Sequence, residues 1–222
     1  VIATLSAAHS KEIWYLMRGT GMVSLVLLTA TLVAGVAGVR RWSSDGWPRA
    51  VVAYLHRNVA LLAVVFLAVH IVSAMLDPYV SIGWLAAVVP FISHWKSLWV
   101  GLGALAVDAM LALVVTSLLR SHLRERTWRA VHWVAYSCWP LALAHGFTSG
   151  TDSSTGWARA VYVVAIVVVA GAVAWRLLPR RPLVVPASFA AAGPVPTAAT
   201  PGTSARLTPT SRTPTPRTKA PA

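Results

Sequence analysis

Apolar residues along this chain gather into stretches that reach the ~20 residues a helix needs to cross a hydrocarbon core. The first runs over residues 14–39 and ends in Arg40-Arg41; the second runs over 50–76 and closes on Asp77-Pro78. A shorter stretch, 79–92, contains Gly83 and Pro90. It is too short and too interrupted to span, so it reads as an interfacial or re-entrant piece. Three more stretches follow at 95–119, 128–147 and 157–178, and Trp14, Trp42, Trp95, Trp128, Trp157 and Trp175 fall near the ends, where aromatic belts belong. The expected fold class is all-α: an integral membrane helical bundle of about five transmembrane helices over 14–178, plus the short segment. Residues 1–13 are expected to form a short extracytoplasmic N-terminus.

Composition strengthens the membrane reading. Charged residues make up 11% of the chain, against roughly 25% in an ordinary soluble domain. The net charge of +13 would suit a nucleic-acid partner, but the basic residues lie between apolar stretches or in the C-terminal tail, so no nucleic-acid partner is expected. They report topology instead. Arg40, Arg41 and Arg49 follow the first span, and Arg120, Arg124, Arg126 and Arg129 separate the third from the fourth; the intervening loops 77–93 and 148–156 carry no Lys or Arg. The positive-inside rule then puts the N-terminus outside and the C-terminus in the cytoplasm of a multi-pass protein of the plasma membrane. Lys11 and Glu12 lead into a span without a small-residue cleavage site, so no signal peptide is expected. Beyond residue 178 the chain is rich in Pro, Thr and Ala. This 179–222 segment is expected to be a disordered cytoplasmic tail, its Arg206, Arg212, Arg217 and Lys219 touching anionic membrane lipid weakly. Cys138 stands alone in an apolar run and reads as a packing residue; no C-x-x-C-H occurs for covalent haem attachment.

Seven histidines occur, and four of them fall inside expected spans: His56 and His70 on the second, His132 and His145 on the fourth. Polar groups at that depth are costly and mark function. His56 and His70 lie about 21 Å apart along a helix and within roughly 40° of one face. His132 and His145 lie about 20 Å apart, but an ideal helix turns them to different faces; a kink at Pro140 would reset the phase. Both spans rise from the cytoplasm, so His56 pairs in depth with His132, and His70 with His145. A haem iron takes two axial imidazoles on opposite faces of its macrocycle. The expected cofactors are therefore two b-type haems (heme b), an inner one on His56/His132 and an outer one on His70/His145, with edges near enough for electron hopping. His9, His94 and His122 read as surface residues, His94 being placed where an acceptor could meet it.

The paired spacings His56-x13-His70 and His132-x12-His145, with Arg-Gly-Thr-Gly at residues 18–21, resemble the ferric reductase-like transmembrane domain family, the haem-bearing core shared with NADPH oxidases. The resemblance covers residues 14–178. It implies an iron-porphyrin oxidoreductase component that passes electrons from a cytoplasmic donor to an extracytoplasmic acceptor. No G-x-G-x-x-G accompanies it, so no FAD or NAD(P)H domain is expected on this chain, and electrons would come from a separate flavoprotein or from quinol.

Charged neighbours complete the candidate site. Arg57 and Arg129 are expected at the inner haem propionates, with snorkelling to headgroups as the alternative. Arg18 would serve the outer haem or an anionic acceptor, or anchor its helix at the interface. Asp108, mid-span, is either held neutral or hydrogen-bonded to another span, and a proton relay is one use for it. Gly101 and Gly103 read as aids to close helix contact, and residues 149–152 as a loop capping the last span. Three function classes stay open: a ferric reductase-like electron carrier, a haem subunit serving a separate extracytoplasmic reductase, and a haem-free scaffold or transporter whose histidines bind metal or protons.

Overall fold

The computed structural model describes residues 2–42, 44, 47–78 and 82–179, with side chains from Lys11 onward; the expected tail from residue 180 lies outside the described residues. Among the described residues every regular element is a helix, and the α-helices are α1 (Ile2–Val39), α2 (Arg49–Leu76), α3 (Ser97–Leu118), α4 (Glu125–His132), α5 (Ala135–Ser149) and α6 (Gly156–Leu177). Helices are the form that long apolar segments must take in lipid, because only they satisfy each N–H and C=O within the segment. The hydroxyls of Thr20, Ser24, Thr29 and Thr31 follow the same logic, donating to carbonyls one turn back within α1. Large apolar side chains such as Leu61 (51% exposed), Val65 (57%) and Val167 (63%) point outward, as they do where the solvent is lipid.

Boundaries follow local chemistry. Helix α2 starts behind Pro48 and stops at Asp77, whose extended backbone (φ −71°, ψ 113°) is what a following proline enforces. Helix α1 begins at Ile2, well before the tryptophan at which the first span was expected to start. Between α2 and α3, the described residues of the 79–92 stretch form a single 3-10 turn at Trp84–Ala87 and no spanning helix. Phe91 takes a left-handed backbone (φ 68°) and lays its ring on Gly101 of α3, where an added Cβ would lie 2.2 Å from the ring.

The fifth span departs from expectation. Among the described residues, four helices are long and apolar enough to cross a membrane alone: Lys11–Val39, Arg49–Leu76, Ser97–Leu118 and Gly156–Leu177. The segment expected as one span at 128–147 is divided into α4 and α5. At the joint, Trp133 (φ −63°, ψ −24°) and Val134 (φ −59°, ψ −22°) keep right-handed helical angles. Their bonds shorten to the three-residue type, as in Val134 N–H to Val131 O (2.9 Å), Tyr136 N–H to Trp133 O (3.0 Å) and Ser137 N–H to Val134 O (3.0 Å). Pro140 sits within α5, away from the joint.

Helix α1 packs along α2, α3 along α5, and α5 and α6 close on α1. Trp139 anchors the centre, packed with Ala165 and Val169 and donating its indole N–H to Thr29 Oγ1 at 2.9 Å. Helices α2 and α5 do not pack closely on each other among the described residues. That gap positions the site.

Candidate functional site

Four imidazoles project into the gap, as two pairs. The ring centres of His56 and His132 lie 6.3 Å apart, and those of His70 and His145 also 6.3 Å apart. Since His56 precedes His70 on α2 and His132 precedes His145 on α4–α5, the composite segment runs parallel to α2 and traverses the same ~21 Å of depth. The 3-10 joint accounts for the second pair's phase. Thirteen residues of ideal α-helix leave two side chains about 140° apart; about five residues wound at three per turn add roughly 100° and bring them to within about 40°. The repair expected from Pro140 is supplied by the turn at Trp133–Val134 instead. Sequence could not show this, because no residue type there forces a 3-10 turn.

Three of the rings share one arrangement. His70 Nδ1–H donates to Met17 O (2.8 Å), His56 Nδ1–H to Thr31 O (2.9 Å) and His145 Nδ1–H to Trp99 O (2.8 Å). A carbonyl can only accept, so the proton sits on Nδ1 and the Nε2 lone pair is left available. His132 differs: its ring stacks on Trp128 (4.7 Å, 22°), and its Nδ1 is buried with no hydrogen-bond partner.

A cavity of about 1530 Å³, counting space open to the outside, surrounds the His70/His145 pair. Its wall is mostly apolar, with His70, His145, Ser24, Cys138, Arg18 and Asp152 among its polar members. Neither His56 nor His132 lines it. Cys138 is buried there with its Sγ–H directed to Ala106 O.

Arg18 is the best-held cation in the site. Its Nε donates to Asp152 Oδ2 at 2.6 Å, its Nη1 to the Thr151 hydroxyl, and its guanidinium covers the Trp14 ring at 4.8 Å. The loop at 149–152, read from sequence as a cap for the last span, therefore also supplies the partners of Arg18. Lys96 reaches the same end, donating to Thr148 O at 2.9 Å. At the His56/His132 level, Arg129 pairs with Glu125 one turn earlier on its own helix, both side chains largely exposed, and Arg57 is exposed without an ion pair among the described residues. Two cations that sequence reasoning passed over stand closer to the aromatic rings there: Arg120 lies 4.5 Å over Trp128, and Arg176 lies 4.8 Å over Trp133 with its Nη1 buried and unpaired. Asp108 is half-buried on α3 and makes no hydrogen bond or ion pair among the described residues. His94 and His122 are exposed; the side chain of His9 lies outside the described residues. No group of three or more His, Cys, Asp or Glu converges on one point among the described residues.

A family model described as "Ferric reductase like transmembrane component" matches residues 20–143. The matched stretch holds His56, His70 and His132 and ends two residues before His145. Neither a curated protein nor a solved structure matches the chain. With four helices able to cross a bilayer and more than half its length matched, the chain is a multi-pass membrane redox component and belongs to the ferric reductase-like transmembrane component family.

Proposed function

We propose that the chain holds two b-type haems, one on His56 and His132 and one on His70 and His145, and carries electrons across the plasma membrane. The direction would be from a cytoplasmic flavoprotein or a quinol to an extracytoplasmic acceptor. The observation that carries this reading is the repeated ring separation. A metal–imidazole bond of about 2 Å on each side, plus the half-width of each ring, puts ring centres about 6 Å apart, and both pairs stand at 6.3 Å. Two imidazoles make a poor site for a bare ion, whereas a porphyrin brings the remaining equatorial ligands itself. Bound there, haem supplies a one-electron carrier at each of two depths.

The chain's own residues orient and insulate. Donation from Nδ1–H to a main-chain carbonyl fixes ring tautomer and direction and raises the basicity of Nε2. The mostly apolar wall around His70 and His145 offers water few partners. Arg18, immobilised by Asp152, offers a positive edge to a propionate or to an anionic acceptor at the membrane surface. At the other level Arg57 and Arg129 remain candidates for the propionates, joined by Arg176, whose buried unpaired Nη1 favours an anionic partner.

An absorption spectrum tests the reading. Dithionite-reduced purified protein should show sharp b-type bands, with two haems per chain and no appreciable carbon monoxide complex, because two imidazoles would hold each haem. A spectrum without b bands sinks it.

A further inference from the structure

Three glycines stand where three imidazoles dock. An added Cβ on Gly103 would lie 2.6 Å from His145 Nδ1, one on Gly21 2.9 Å from His70 Nδ1, and one on Gly35 3.2 Å from His56 Cε1. In each case the carbonyl that accepts from the ring belongs to the residue four before the glycine: Trp99, Met17 and Thr31. The geometry has a simple cause. In a helix a side chain leans toward the N-terminal turn and covers the carbonyl below it. Removing the side chain opens a notch over that carbonyl, and an imidazole from the facing helix can enter it. Gly21 and Gly35 are fourteen residues apart on α1, and His56 and His70 are fourteen apart on α2, as two antiparallel helices in register require.

The fourth ring has no notch. Fourteen residues on from Gly103, at the end of α3, stands Ser117. His132 Nδ1 is correspondingly without an acceptor, and its ring leans on Trp128 instead.

We propose that Gly21, Gly35 and Gly103 are positioning residues, each a helix notch that fixes one imidazole through the carbonyl one turn back and so sets the tautomer and basicity of an axial ligand. Insofar as the ligand is a haem ligand, the proposal rests on the function proposed above. The tautomer part does not depend on it.

Alanine at each glycine tests both parts. Filling a notch pushes the ring off its carbonyl, lowers ligand basicity and raises the haem midpoint potential. The effect should rank Gly103→Ala, then Gly21→Ala, then Gly35→Ala, following the three Cβ separations. Gly103→Ala should halve the haem per chain by removing the His70/His145 haem. Gly35→Ala should keep both haems, with one potential raised and one low-spin electron paramagnetic resonance signal moved. Gly38→Ala and Gly171→Ala, whose added Cβ atoms meet nothing within 4 Å, should match wild type. Should Gly103→Ala fail to give a monodisperse protein, Gly35→Ala still decides. Independently, 15N spectra of histidine-labelled protein should show three intramembrane rings as hydrogen-bonded Nδ1–H tautomers, one of them lost in each variant. Unchanged potentials, resonance signals and nitrogen shifts in Gly21→Ala and Gly35→Ala would overturn the proposal. A wild-type chain without haem would defeat the haem reading, while the nitrogen spectra would still decide for or against the notches.

Discussion

The two histidine levels share a ring separation and differ in nearly everything that supports it. At His70/His145 both rings donate to carbonyls, both rest on glycines, and the surrounding cavity is lined by Arg18 and Asp152, which are ion-paired to each other. At His56/His132 one ring is held in that way, and the other is stacked on an indole at the 3-10 joint between α4 and α5. A pair of imidazoles at the right distance is therefore not one design but two. One level is fixed by hydrogen bonds to rigid main chain, the other partly by packing, which tolerates displacement more readily.

The largest effect should come from removing a ligand on the well-supported side. His70→Leu is expected to halve the haem-to-protein ratio and leave the spectrum of the remaining haem intact. Equal loss of both haems would mean that the levels are not independent and would break the comparison. Next comes the ion pair that lines the cavity. Arg18 and Asp152 have side-chain exposures of 15% and 29%, and charged hydrogen bonds in partly dry surroundings contribute about 1–2 kcal/mol. Arg129 and Glu125, at 66% and 72%, make an exposed helical pair worth at most about 0.5 kcal/mol after solvent screening. Double-mutant cycles on thermal unfolding in detergent, with Arg18→Gln and Asp152→Asn against Arg129→Gln and Glu125→Gln, should return that order; equal coupling energies would contradict it. The smallest effect is expected at the stacked ring. Trp128→Leu should broaden or shift the resonance signal of the His56/His132 haem without losing it, and Trp128→Phe should restore it. No change in either variant would mean the indole does not hold His132.

Much of this was legible in the chain. Apolar length alone located α1, α2, α3 and α6, because lipid leaves helices no competitor. The depth pairing of histidines followed from two spans carrying rings at nearly equal separations. The rest depended on information that residue types carry weakly. The joint at Trp133–Val134 has no breaker, and the proline that looked like one sits inside α5. Arg57 and Arg129 were selected for nearness in sequence to His56 and His132; Arg57, one residue on, points to a different face from His56, whereas Arg129, three residues before His132, shares its face. Asp152 looked like part of a loop, since nothing local ties it to a residue more than a hundred positions earlier. The glycine notches were visible in principle: the fourteen-residue step from Gly21 to Gly35 repeats that of the histidines opposite. Spacing between two residue types on different spans is the signal that finds such a fit.

Because the acceptors of three rings are peptide carbonyls, side-chain replacement at Met17, Thr31 or Trp99 leaves those acceptors in place. Alanine at those three positions therefore does not report on the acceptors themselves. The vulnerable atom of each docking point is a hydrogen that glycine carries where every other residue has carbon. A natural variant at Gly21, Gly35 or Gly103 would damage this protein without touching a charge, a ring or a histidine.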